Sequence, residues 1–105
     1  MKYPEPDIEV YQGDSIALGY KTDPEQDMTN WVTRVMVKKQ LSGPALLDQT
    51  VNQLTEDKLK LVGLMQTGGL EPDKYWLLAE MSNAATGESK EIHQRITVKP
   101  QGVYD

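Results

Sequence analysis

Along most of this chain apolar and polar residues alternate with a period of two, the pattern of strands with one buried face. Ile8 and Val10 share one side of residues 7–11, and Ile16, Leu18 and Tyr20 align within residues 15–22. Across residues 31–39, Trp31, Thr33, Val35 and Val37 oppose Arg34 and Lys38. In residues 58–65, Leu59 and Leu61 oppose Lys58 and Lys60. In residues 74–81, Tyr75, Leu77, Ala79 and Met81 oppose Trp76 and Leu78, so that strand is apolar on both sides. Residues 90–99 place Ile92, Ile96 and Val98 inward and His93, Arg95 and Thr97 outward. Turn chemistry separates these runs at Gln12-Gly13-Asp14-Ser15, in the polar stretch 21–30 with Asp23-Pro24, at Ser42-Gly43-Pro44, at Thr67-Gly68-Gly69 and at Asn83 to Glu88.

One segment supports two readings. Between residues 46 and 65, Leu47, Val51, Leu54, Leu61 and Met65 also fall at helical spacing, and Ser42 ahead of Pro44 suits a helix start. Lys58 interrupts that stripe, and Thr50, Val51, Thr55 and Gly63 are modest or poor helix formers. Strands are favoured, with the helix left open.

About seven strands joined by Gly, Pro, Asn and Asp turns predict an all-β fold, an immunoglobulin-like antiparallel β-sandwich. Leu70-Glu71-Pro72-Asp73-Lys74-Tyr75 adds a second cue. A tyrosine starting an apolar strand just after such a connection can return its hydroxyl to nearby backbone, the corner device of these sandwiches. The predicted organisation is an extended arm over residues 1–6, where Pro4 and Pro6 fix the backbone, a sandwich over 7–100, and a tail over 101–105.

The chain has 105 residues, enough for one domain with one modest core. Its 11 basic and 16 acidic side chains give a net charge of −5, which disfavours nucleic acid as a partner. Neither an apolar leader nor a run long enough to span a membrane is seen, so no membrane association is expected. Cysteine is absent, which removes disulfides and thiolate metal sites.

Catalytic chemistry finds little support. His93, the single histidine, sits on a polar strand face, and nothing resembling a nucleophile elbow surrounds Ser15, Ser42, Ser82 or Ser89. Gly68-Gly69 lacks the spacing and lysine of a phosphate loop. The chain reads as non-enzymatic and without a cofactor. Asp23, Glu25 and Asp27 are a weak candidate for calcium, since alternate loop oxygens can ring a hard cation, but the glycine and distal glutamate of a calcium-binding loop are missing.

The informative oddity is apolar surface on the outward side of strands: Trp76 and Leu78 on one, Val32 and Met36 on another. On adjacent strands they would form one patch suited to a protein partner. Tyr3, Val103 and Tyr104 in the two terminal segments are further candidates for ordering on a neighbour.

The order of four strings carries a resemblance. Residues 7–15, Asp-Ile-Glu-Val-Tyr-Gln-Gly-Asp-Ser, are followed by Asp27-Met28-Thr29-Asn30-Trp31 leading into Thr33-Arg34-Val35-Met36-Val37, then by Leu70 to Tyr75, then by Arg95-Ile96-Thr97-Val98. Together they resemble a family of tailed-phage virion domains, the amino-terminal immunoglobulin-like domain of baseplate upper proteins and small tail and head accessory proteins. The resemblance spans nearly the whole chain. It implies a structural virion protein, assembled in the bacterial host cytoplasm, whose partners are other phage structural proteins and for which homo-oligomerisation is open. This chain ends soon after the domain, where larger members continue into fibre or receptor-binding parts, so a tail or neck adaptor or a capsid decoration protein fits better than a baseplate protein. Two other classes remain: a carbohydrate- or host-binding module using Trp76, Tyr3, Tyr11 and Tyr104 to stack on sugars, and a calcium-dependent adhesin-like domain.

Overall fold

A computed structural model describes residues 7–100, which contain eight strands and no helix. The strands are β1 (Ile8–Tyr11), β2 (Ser15–Tyr20), β3 (Trp31–Lys38), β4 (Ala45–Val51), β5 (Gln53–Leu54), β6 (Leu61–Gln66), β7 (Asp73–Asn83) and β8 (Ser89–Lys99). They form a five-stranded sheet in the order β1-β8-β7-β3-β4 and a three-stranded sheet in the order β2-β6-β5. The all-β sandwich expected from the alternation is therefore present. The predicted arm over 1–6 and tail over 101–105 lie outside the described residues.

The pairing differs from expectation in one place. β1 runs parallel to β8, with Ile8 opposite Ile96 and Tyr11 opposite Lys99, whereas every other neighbouring pair is antiparallel. Alternation reports which face of a strand is buried and carries no information about the direction of its neighbour. The turn after β1 explains the arrangement locally. Gln12 N–H donates to Lys99 O at 2.8 Å, and Asp14 N–H donates to Tyr11 O at 3.0 Å, so the chain leaves the large sheet and enters the small one within three residues.

The ambiguous stretch resolves into β4, β5 and β6. Its helical look arose because Leu47 and Val51, like Leu61 and Met65, are four apart, a spacing that satisfies both a helix turn and strand alternation. β6 starts at Leu61 rather than at residue 58. Lys58, with φ 63°, and Leu59 belong to a tight turn in which Thr55 N–H donates to Lys60 O at 3.0 Å and the Asp57 carboxylate accepts from Leu59 N–H at 3.0 Å. β4 and β5 are two parts of one path: the chain leaves the large sheet at Val51 and pairs with β6 of the small sheet from Gln53.

Side chains from both inner faces make one core. Ile16, Leu18 and Tyr20 from β2, with Leu61 and Met65 from β6, meet Trp31, Val35 and Val37 from β3, Tyr75, Leu77, Ala79 and Met81 from β7, and Ile96 and Val98 from β8. Each large aliphatic buried this way is worth about 1.5–3 kcal/mol relative to exposure. Gly63 eases this passage: a Cβ on it would come within 3.3 Å of a Val51 methyl, a tight contact to which Val51 would have to yield by a few tenths of an ångström as the path from β4 to β5 passes over β6.

The corner device is formed. Tyr75 is buried at the start of β7 and its hydroxyl donates to Glu71 O at 2.6 Å. Leu77, two residues on, is fully buried where cysteine-containing sandwiches place their second cysteine. At the β7–β8 hairpin, Asn83 Oδ1 accepts from Ala85 N–H at 2.8 Å and Thr86 N–H at 3.2 Å, and Gly87 takes the positive φ that closes the turn.

Candidate interaction surface

The outer face of the five-stranded sheet holds the outward residues named from sequence. Register places Met36 directly opposite Leu78, Lys38 opposite Trp76 and Val32 opposite Ser82 on β3 and β7. On the far side of β7, Trp76 stands opposite Arg95 and Leu78 opposite His93. The four candidates thus lie on two adjacent strands, as the pattern suggested, with Trp76, Leu78 and Met36 contiguous.

Their exposure corrects the simple picture of an open apolar patch. Leu78 and Met36 are only 6% and 5% exposed, although they point away from the main core. Val32 and Trp76 are half-buried. The reason lies in the flanking residues. The Arg95 guanidinium stacks over the Trp76 ring at 4.4 Å from its centroid, an interaction that also covers apolar surface. Arg34 crosses diagonally to the Asp48 carboxylate beside Met36 with two hydrogen bonds. That pairing holds the Asp48 carboxyl below its usual range, first through the hydrogen bond and then through the charge of Arg34.

Charge on this face is uneven. Trp76 is bordered by Lys38 across β3, by Arg95 across β8 and by Lys74 two residues earlier on its own strand. Among the described residues no carboxylate lies within ion-pair distance of these three cations. Lys39 differs: it pairs with Asp73 and lies over the Tyr75 ring at 5.2 Å. The result is an indole set among unpaired positive charge on a chain that is negative overall.

The other candidates are not assembled into sites. Asp27 accepts from the Thr29 N–H at 2.8 Å and from its hydroxyl, which holds its carboxyl below the usual range. Glu25 pairs with Lys21 at 3.4 Å. Among the described residues no three His, Asp or Glu side chains gather to hold a metal ion, so Asp23, Glu25 and Asp27 do not form a ligand set. His93 faces outward beside Leu78, 3.7 Å from Glu91, with no serine opposite it. Tyr11 and Trp76 do not line one groove, since β8 separates them and their partners on it, Lys99 and Arg95, are four residues apart. Tyr3, Val103 and Tyr104 lie outside the described residues.

Sequence reasoning missed the cationic frame of Trp76, although the alternation contained it: Lys38, Lys74 and Arg95 each have the outward parity. What was missing was strand order, which alone brings them around one ring. Comparison with protein-family models, with curated proteins and with solved structures finds no match to this chain.

Proposed function

We propose that this chain is a non-enzymatic structural protein of a phage virion that docks on other virion subunits, as a tail or neck adaptor or an accessory protein. The observation that carries the docking reading is the Trp76 site: a half-buried indole continuous with Leu78 and Met36 and framed by Lys38, Lys74 and Arg95, which have no carboxylate within ion-pair distance among the described residues. Tryptophan and arginine are enriched among the residues that dominate the energetics of protein interfaces. Unpaired cations around an apolar anchor suit an acidic partner surface. The phage setting rests on the four ordered strings in the sequence, among them the Gly13-Asp14 turn and the Asp27-x-Thr29-x-Trp31 entry into β3. Capsid decoration is the same docking role at another position in the particle.

The test replaces Trp76 with glutamate in the phage that encodes the chain. The variant domain should keep its β-type far-ultraviolet spectrum and cooperative melting, because position 76 is outside the main core, yet be missing from purified particles. Incorporation at the normal level would remove the Trp76 face from the docking role.

A further inference from the structure

We propose that residues 3–6 run back along the open rim of β8 and cover the cleft between the two sheets, so that the chain's own leading segment seals this side of the sandwich. The proposal does not depend on the docking role of Trp76.

The β1–β8 pairing begins at Ile8, opposite Ile96, so β1 covers only the last part of β8. Ahead of it a cleft of about 540 Å³ opens between β8 and β2, with Ile8, Leu18, Tyr20, Ile92 and Gln94 among its walls. Two bonds fix which backbone groups of β8 line the rim of this cleft. Asn83 N–H donates to Glu88 O at 2.9 Å, so even-numbered residues of β8 bond to β7. Gln12 N–H donates to Lys99 O at 2.8 Å, so odd-numbered residues bond to β1. The N–H of Arg95 and both backbone groups of His93 and Glu91 therefore point to the side of β1 but lie ahead of its start, and no strand meets them among the described residues.

Connectivity selects the occupant. β1 runs parallel to β8, so the residues before Ile8 are carried towards Gln94 and Ile92, back over the cleft. Continuing the register sets Pro6 opposite Gln94, Glu5 opposite His93, Pro4 opposite Ile92 and Tyr3 opposite Glu91. Pro4 and Pro6 share the parity of Ile8 and Val10, so their rings face the cleft and cover Ile92, while Tyr3 and Glu5 face outward with Glu9.

The backbone chemistry agrees with this placement. The same parity aims the Pro6 and Pro4 carbonyls at the N–H groups of Arg95 and His93, the donors that the rim leaves open. Proline has no N–H of its own, so the segment brings no donor that the rim must satisfy, and its fixed φ lowers the entropy lost on docking. A strand from another molecule would have to displace a segment joined directly to β1, and short tethers hold their ends at effective concentrations of about millimolar.

The experiment is NMR of the full chain at low concentration, with amide exchange measured beside nuclear Overhauser contacts. Contacts are expected between the ring protons of Pro4 and Pro6 and the Ile92 methyls. The Arg95 and His93 amides should exchange about tenfold faster in a chain lacking residues 1–6, the effect of one lost hydrogen bond each, whereas the Thr97 amide, held by β1, should not change. Pro4→Asp combined with Pro6→Asp should release the same two amides without shortening the chain. Trp76→Glu should leave the contacts in place, which separates this cover from the docking face. Proline signals without contact to Ile92 in the full chain overturn the proposal. So do contacts that arise only between differently labelled copies, since the segment then covers a second molecule. Exchange at Arg95 and His93 that is indifferent to both the deletion and the double substitution also overturns it.

Discussion

The two lateral sides of the sandwich are closed by different means. On one side the chain itself crosses from sheet to sheet: β4 ends at Val51, β5 begins at Gln53, Val51 packs over Gly63, and Gln49 caps the Leu64 carbonyl. On the other side the crossing is a short turn. Tyr11 N–H donates to the Asp14 carboxylate at 3.1 Å, and both the N–H and hydroxyl of Thr67 donate to Asp14 O. Beyond this pin the backbone groups of Ser15, Ala17 and Gly19 have no side-chain cap among the described residues. One side therefore caps a strand carbonyl with a side chain and packs a crossing strand over the small sheet, whereas the other is pinned only at its turn.

The largest effect that separates the two sides comes from a matched pair of glycine substitutions. Gly63→Val puts a branched side chain against fully buried Val51 and should destabilise by about 1–3 kcal/mol through overpacking. Gly19→Val meets only the far end of the flexible Lys60 side chain and should change stability by no more than about 0.5 kcal/mol. Urea unfolding of the purified protein measures both. Equal losses at the two positions would mean that the sides are not differently packed.

An intermediate effect is expected where the chain crosses at the end of the sandwich, between β6 and β7. Tyr75→Phe removes the hydroxyl that donates to Glu71 O while keeping the buried ring, and should cost about 1 kcal/mol. Amide exchange in residues 67–72 should quicken more than exchange in β4 or β5. Uniform quickening across the domain would show that the corner bond acts on global stability and does not specifically hold this crossing.

Much of this could be read from the sequence because alternation maps directly onto faces. Trp31, Val35, Leu77 and Ile96 were assigned inward and are buried, and the spacing from Leu70 to Tyr75 pointed to the corner bond. Pairing could not be read so well. Nothing local in Ile8 or Val10 distinguishes a parallel partner from an antiparallel one, and the passage of one strand through Asn52 into the other sheet runs over Gly63, eleven residues away. The outward side of Leu78 and Met36 was legible too, but their burial was not, because the Arg34–Asp48 pair beside Met36 and the Arg95 stack on Trp76 both cross strands whose order the sequence does not state.

The final expectation concerns alkaline pH and the last residue of the open edge strand. Tyr20 ends β2 with its ring in the core, and burial pushes its phenol from 10.0 up to about 12. An unfolded chain releases this proton near pH 10 while the folded chain holds it, so the unfolded state binds fewer protons and stability falls as pH rises from about 10 towards 12. Below pH 10 both states keep the proton, and this residue adds no pH dependence there. Burial also raises the Tyr75 phenol, so some alkaline decline should persist in any Tyr20 variant. Tyr20→Phe should make the decline shallower, seen as a smaller drop in the urea midpoint between about pH 9 and 11. An unchanged drop would place the Tyr20 ring in water and show that the open side admits solvent as far as the core.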